Sequence, residues 1–226
     1  MTTASLSRRH VLFGGTALAA LTLAGCASSS TPRRLSASER AELAAPAYIR
    51  EMYGPLPEER FPIPAVRLAE LDPRYWREVV EDPTGERAGT VVVDTPNRFL
   101  YWTLGDGKAM RYGVGIGRAG FDWGGRAVIQ YKREWPTWTP PAEMIQREPW
   151  LEEYRHGMVP SLENPLGARA LYIFQNGRDT LYRLHGTADA PTIGKAVSSG
   201  CVRLLNHDVI DLYGRVPNGS PIVVWQ

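Results

Sequence analysis

Residues 185–206 read HGTADAPTIGKAVSSGCVRLLN. The run Leu181-Tyr182-Arg183-Leu184 before them has strand character and delivers His185 at its end. Sixteen residues on, Ser198-Ser199-Gly200 leads into Cys201, with Arg203 two positions further. A thiol and an imidazole at this separation can meet in space. If they do, the imidazole takes the thiol proton and the sulfur becomes a strong nucleophile, with a pKa expected below that of an ordinary thiol. The polar, glycine-rich approach to Cys201 argues against an inert thiol in an apolar core.

Outward from this stretch the pattern is β-rich. Downstream, Asn206 reads as the cap of a short helix, 207–213, with Val209, Ile210 and Tyr213 on its buried face. Gly214 reads as its C-terminus, and Pro217-Asn218-Gly219 turns the chain into a last strand, 221–225. Upstream, strands are expected at 90–93, 98–103, 110–116, 127–132 and 170–174, separated by turn residues. Residues 133–169 are too long for a simple connection and carry Trp135, Trp138 and Trp150 among six prolines. They could line a substrate cleft or form a satellite aromatic cluster. The sum is a mostly β domain over 88–226, a sandwich or open barrel with one or two short helices and a long inserted loop.

Residues 1–25 have the form of an export signal. Arg8-Arg9 sit in a basic n-region resembling a twin-arginine (Tat) signal, and Val11–Leu23 is apolar but about half the ~20 residues of a membrane-spanning helix. Leu23-Ala24-Gly25-Cys26 resembles a bacterial lipobox, which makes Cys26 the lipidation site. Residues 26–87 read as a lipid tether and N-terminal extension. A helix broken by Pro46 is expected over 38–53, no regular element over 54–64, and a helix after Asp72 within 66–81. The expected location is the periplasm, anchored by lipid to the outer membrane. The chain has 2 cysteines, so lipidation of Cys26 leaves Cys201 as a lone thiol in an oxidising compartment. A net charge of +2 implies no nucleic-acid partner.

The combined pattern resembles the L,D-transpeptidase family, whose catalytic domain is called YkuD-type. The positions that carry the resemblance are His185-Gly186, Gly194, Ser198-Ser199-Gly200-Cys201 and Arg203, then the following helix and final strand. Ser199 stands where many members have a second histidine. The resemblance implies peptidoglycan stem peptides as substrate, with Cys201 as nucleophile, His185 as base and the Gly186 carbonyl orienting it. Backbone N–H groups at Gly200-Cys201 would hold the oxyanion, and Arg203 would stabilise thiolate or substrate. Ser198, Ser199, Trp138 and Tyr172 are the candidate substrate contacts. No cofactor or metal is implied; His156, His185, His207 and Cys201 lack metal-ligand spacing.

Other readings of the same residues are an L,D-carboxypeptidase, in which water replaces the acceptor amine, and a non-catalytic peptidoglycan-binding lipoprotein. A papain-like protease is disfavoured, because there the cysteine precedes the histidine and opens a long helix.

Overall fold

The computed structural model describes residues 35–117, 123–198 and 201–226. Leu35–Gln226 forms one compact unit. The export signal, Cys26, Ser199 and Gly200 lie outside the described residues.

Eleven strands appear among the described residues: β1 Glu78–Glu81, β2 Val91–Asp94, β3 Phe99–Gly105, β4 Lys108–Gly113, β5 Ile116–Gly117, β6 Gly125–Glu134, β7 Arg169–Gln175, β8 Arg178–Thr187, β9 Ala196–Ser198, β10 Val202–Leu205 and β11 Ser220–Trp225. Nine form one mixed sheet in the order β1-β4-β3-β2-β11-β6-β7-β8-β10, and β5 pairs with β9 apart from it. Most pairs are antiparallel, as tight turns such as Asp106-Gly107 and Asn176-Gly177 allow. β11 runs parallel to β2, and β10 runs parallel to β8. Parallel neighbours need a crossover. For β8 and β10 that crossover is the segment between His185 and Cys201.

Strand alternation builds the core. Val91, Val93, Leu100, Tyr112, Ile129, Leu171, Ile173, Leu184, Val202 and Leu204 are buried together. Helix α4, Asn206–Arg215, packs Val209 and Leu212 into the same cluster. Asn206 is the first residue of this helix and not its cap: Leu205 stands at the cap position and makes no side-chain cap bond. The helix also runs past Gly214 to Arg215.

The N-terminal extension is a structural layer. Helices α1, Ala37–Ala44, and α2, Ala47–Met52, flank the break at Pro46, and Ser36 closes α1 with a capping box. The helix expected after Asp72 is instead a single 3-10 turn, Pro73–Tyr75, capped by the Asp72 side chain and followed by β1. Ile49, Tyr53, Leu68, Leu71 and Tyr75 pack with Val92, Phe99, Tyr101 and Val223 in a second cluster, on the sheet face away from the core. Tyr75 fills the space left by two glycines. A Cβ on Gly113 would sit 2.4 Å from the Tyr75 Cβ, and one on Gly194 would sit 2.3 Å from its ring. Gly194 also holds φ +81, which glycine adopts without strain. The extension thereby seats the crossover between His185 and Cys201, where Ala190 and Ile193 join the same cluster.

The 133–169 insertion contains helix α3, Ala142–Arg147, and a 3-10 segment, Pro149–Tyr154. Trp135 is buried with Ile63 and Ala168, and its indole N–H donates to Glu59 at 2.9 Å. Glu59 also takes two hydrogen bonds from Arg169, at 2.7 and 3.0 Å. Residues 54–64, expected to lack regular structure, thus supply the carboxylate that ties extension, insertion and β7 together.

Candidate active site

The register of β8 and β10 sets Val202 opposite Leu184 and Arg203 opposite His185. Cys201 stands directly before Val202, and the Arg183 backbone N–H meets its sulfur. Side chains alternate along strands, so Arg183, His185 and Arg203 share one face. Leu184, Gly186, Val202 and Leu204 face the core and α4. β7 extends the face, with Tyr172 opposite Arg183 and Ala170 opposite His185. β6 adds Tyr131, stacked on Tyr172 at 4.4 Å.

His185 is buried, and its Nδ1 lies 2.9 Å from the Gly186 carbonyl. A carbonyl only accepts, so Nδ1 carries the proton and Nε2 of the neutral ring keeps its lone pair. Burial pushes the imidazole down to about 4, against the Gly186 hydrogen bond and with Arg203 adding to the fall. Burial pushes the Cys201 thiol up, opposed by a backbone hydrogen bond from Arg183 and by the charges of Arg183 and Arg203. Both shifts favour the neutral thiol and the neutral imidazole. This corrects the expectation of a thiol with a depressed pKa: desolvation outweighs the two guanidiniums.

Arg183 belongs to this face and escaped the sequence reading. Its guanidinium donates to both oxygens of Asp179 at 2.7 Å and lies 4.4 Å from the Tyr172 ring centre. Its place two residues before His185 on a strand was the available signal. Asn206, expected to cap the helix, instead turns toward this strand end. It is buried behind Gly186, and its Oδ1 accepts from the Ala168 N–H at 2.9 Å.

The remaining site residues divide. Gly186 meets His185 through its carbonyl. Ser198 ends β9, paired with Gly117; Ser199 and Gly200 are outside the described residues. Tyr172 lines a cleft of about 580 Å³ with Arg60, Lys132, Arg133, Glu134 and Tyr213. Trp138 does not line it. Its backbone exchanges hydrogen bonds with Met158 at 3.1 and 2.7 Å, which closes the insertion on itself, while its neighbours Pro136 and Thr137 do line the cleft. Among the described residues no group of three or more His, Cys, Asp or Glu side chains could hold a metal. Nor is any described helix long and apolar enough to cross a membrane.

Residues 88–224 match the family described as the L,D-transpeptidase catalytic domain, YkuD. The chain belongs to that family. It is 36% identical over 145 residues to "Probable L,D-transpeptidase YbiS" of Escherichia coli K12, covering 62% of this chain and 45% of the relative. It is 34% identical over 145 residues to "Probable L,D-transpeptidase ErfK/SrfK" of the same strain, covering 63% and 45%. The chain thus spans about half the length of the curated relatives it matches. Among solved structures, one titled "Probable carnitine operon oxidoreductase caia" from Brucella melitensis is 44% identical, with a TM-score of 0.48 over 68% of this chain and 96% of that one. An L,D-transpeptidase from Mycobacterium smegmatis is 19% identical, with a TM-score of 0.43 over 61% and 58%. Neither overlay reaches 0.5, and membership rests on the sequence match.

Proposed function

We propose that the chain is a peptidoglycan L,D-transpeptidase working through a Cys201 thioester. The observation that carries this reading is the hydrogen bond from His185 Nδ1 to the Gly186 carbonyl, which leaves Nε2 as a base two residues along β8 from Arg183, whose backbone N–H meets the Cys201 sulfur. The sulfur attacks the carbonyl carbon of the stem-peptide bond before the terminal D-Ala. The thiol proton passes to His185 Nε2 and then to the leaving amine. A C–S bond forms, a C–N bond breaks, and the acyl group stays activated without ATP. An acceptor amine then attacks the thioester, its proton travels through His185 to the departing sulfur, and the new amide releases the enzyme. The acceptor is a second stem, giving a 3→3 link, or an amine on an envelope protein.

A neutral resting pair suits this sequence, because charge develops only as the acyl group arrives. Arg183 and Arg203 then stabilise the forming thiolate and oxyanion. A cleft that includes Tyr172 but is lined by neither His185 nor Cys201 offers three cations against one carboxylate, a balance suited to the carboxylates of a stem peptide. The same reading places the protein in the periplasm, exported by the Tat route and lipid-anchored to the outer membrane through Cys26. Retention of a Cys26→Ser variant in membranes would contradict that anchor.

Incubation with purified disaccharide-tetrapeptide, alone and with an amine acceptor, tests the reaction by mass spectrometry. A cross-linked dimer or acceptor conjugate supports the transpeptidase. Tripeptide alone makes it a carboxypeptidase, and unchanged substrate removes the enzyme reading.

A further inference from the structure

Three buried polar residues open α4 in succession: Asn206, His207 and Asp208. His207 and Asp208 turn to the N-terminal extension, through Gly54 O at 2.7 Å and the Tyr53 hydroxyl at 3.3 Å. Asn206 turns the other way. Its Oδ1 takes the Ala168 N–H at 2.9 Å and occupies the space beside the Gly186 Cα that a side chain would fill. A Cβ on Gly186 would fall 2.1 Å from Asn206 Oδ1. Gly167, at φ +59, packs against both groups: a Cβ there would lie 2.4 Å from Asn206 Oδ1 and 2.7 Å from Gly186 O. The carbonyl that accepts from His185 Nδ1 thus packs on Gly167, and Asn206 Oδ1 holds the 167–168 backbone against it through the Ala168 N–H.

Asn206 gains little stability from this arrangement. Its Nδ2 is buried and has no hydrogen-bond partner among the described residues, which costs free energy. An apolar side chain would avoid that cost and lose the Ala168 acceptor. The donor left over points to a role set by Oδ1 alone.

We propose that Asn206 is a positioning residue for the reaction, acting through Gly186: it fixes the Gly186 carbonyl where only the Nδ1-protonated form of His185 satisfies it. The proposal rests on the reading of His185 as the base. Without Oδ1, the Ala168 N–H loses its partner, the 167–168 backbone relaxes, and the Gly186 carbonyl can tilt from the ring. His185 then populates the other neutral tautomer, with Nε2 protonated and no lone pair toward Cys201.

The test uses the full chain with 15N-labelled imidazoles. Two-bond proton–nitrogen correlations at pH 7.5 report which ring nitrogen of His185 carries the proton. In parallel, carbapenem acylation of Cys201 is timed by intact-protein mass spectrometry. In Asn206→Ala, the His185 pattern moves toward the Nε2-protonated form, and acylation slows roughly 10–100-fold, the size of effect found when outer-shell partners of metal-bound histidines are lost. Asn206→Asp keeps an oxygen acceptor in either protonation state, so it restores the wild-type tautomer and brings acylation to within about 3-fold of wild type, by the same logic of a retained acceptor.

Wild-type tautomer and rate in a folded Asn206→Ala overturn the proposal. An Asn206→Asp protein with the scrambled tautomer overturns it too, and Asp carries the decision alone if the alanine variant does not fold. A merely structural role would lower stability and leave the tautomer unchanged. If wild-type Cys201 is never acylated, the enzyme reading fails, while the correlation spectra still decide what Asn206 does to His185.

Discussion

Asp208 offers a quantitative test of how the extension grips the catalytic domain. It is fully buried in the first turn of α4. The Tyr53 hydroxyl donates to it at 3.3 Å, and Arg77 lies 3.7 Å away but is shared with Asp211 at 3.4 Å. Its Oδ1 makes no hydrogen bond. Burial raises its carboxyl to about 7 from an ordinary value of 3.8, against the lowering effect of Arg77 and Tyr53. A pKa raised on folding means the native state binds more protons between the two values. Stability from this group is full below about 3.8 and lost as pH rises through about 7. At 1.36 kcal/mol per unit, the ceiling is about 4 kcal/mol.

The two buried histidines slope the other way. His185 and His207 are both depressed by burial, so their contributions are lost as pH falls. The raw profile mixes these terms, and the difference between wild type and Asp208→Asn isolates the carboxyl. Urea unfolding followed by tryptophan fluorescence from pH 4.5 to 8.5 measures it. Relative to the variant, wild type should lose up to about 1.4 kcal/mol per pH unit between pH 4.5 and 6.5, and about 3–4 kcal/mol over the range. A pH-independent cost of the amide shifts this curve without tilting it. A flat difference, or wild type gaining stability with pH, would refute the account of Asp208 as a carboxyl stranded by desolvation.

Other outcomes follow from the same geometry. Alkylation of Cys201 by iodoacetamide should run slower at pH 7 than that of an unperturbed thiol and keep rising past pH ~8.5, the ordinary thiol value; a plateau near pH 6 would mean a preformed ion pair instead. Tyr75→Ala empties the seat shared by Gly113 and Gly194, so unfolding should cost about 3–5 kcal/mol less and amide exchange should quicken over 188–195; unchanged exchange there would separate the extension from the crossover. Gly167→Ala brings a Cβ within 2.6 Å of Gly186 C, so carbapenem acylation should fall with the His185 tautomer disturbed, and a normal rate would show this packing to be soft.

Strand alternation and turn residues made the catalytic half of the fold legible, because each strand there buries one face and its period is short. The same local logic failed for 66–81. Asp72 and Pro73 do open a helical turn, but Trp76 and Arg77 leave it so that β1 can pair with β4. Tertiary pairing overrode the local signal. The roles of Glu59, Tyr75 and Arg77 were not legible at all, since each depends on a partner far along the chain. Asn206 shows the limit most clearly. Its position just before an amphipathic run is a standard cap signal, yet its side chain turns back to the strand end carrying His185. Only the parallel pairing of β8 with β10 brings that strand end under the helix. In contrast, Arg183 could have been found by parity with His185 once the strand was accepted.

The placement of α4 links these observations. Its first turn follows β10 directly, so whatever fixes the helix also fixes the strand that begins after Cys201. Asn206 joins that turn to the Gly186 peptide, while His207 and Asp208 join it to Gly54 and Tyr53 of the extension. Tyr75 holds the crossover from the opposite side. The extension therefore braces both routes by which His185 and Cys201 are connected, through the crossover and through the helix. A domain of two facing layers would leave the crossover on the surface, free to shift by the ångström or so that matters for proton transfer. Covering it with a third layer buries Ala190, Thr192 and Ile193 at its centre, and Gly194 is the point where this depends on a side chain's absence.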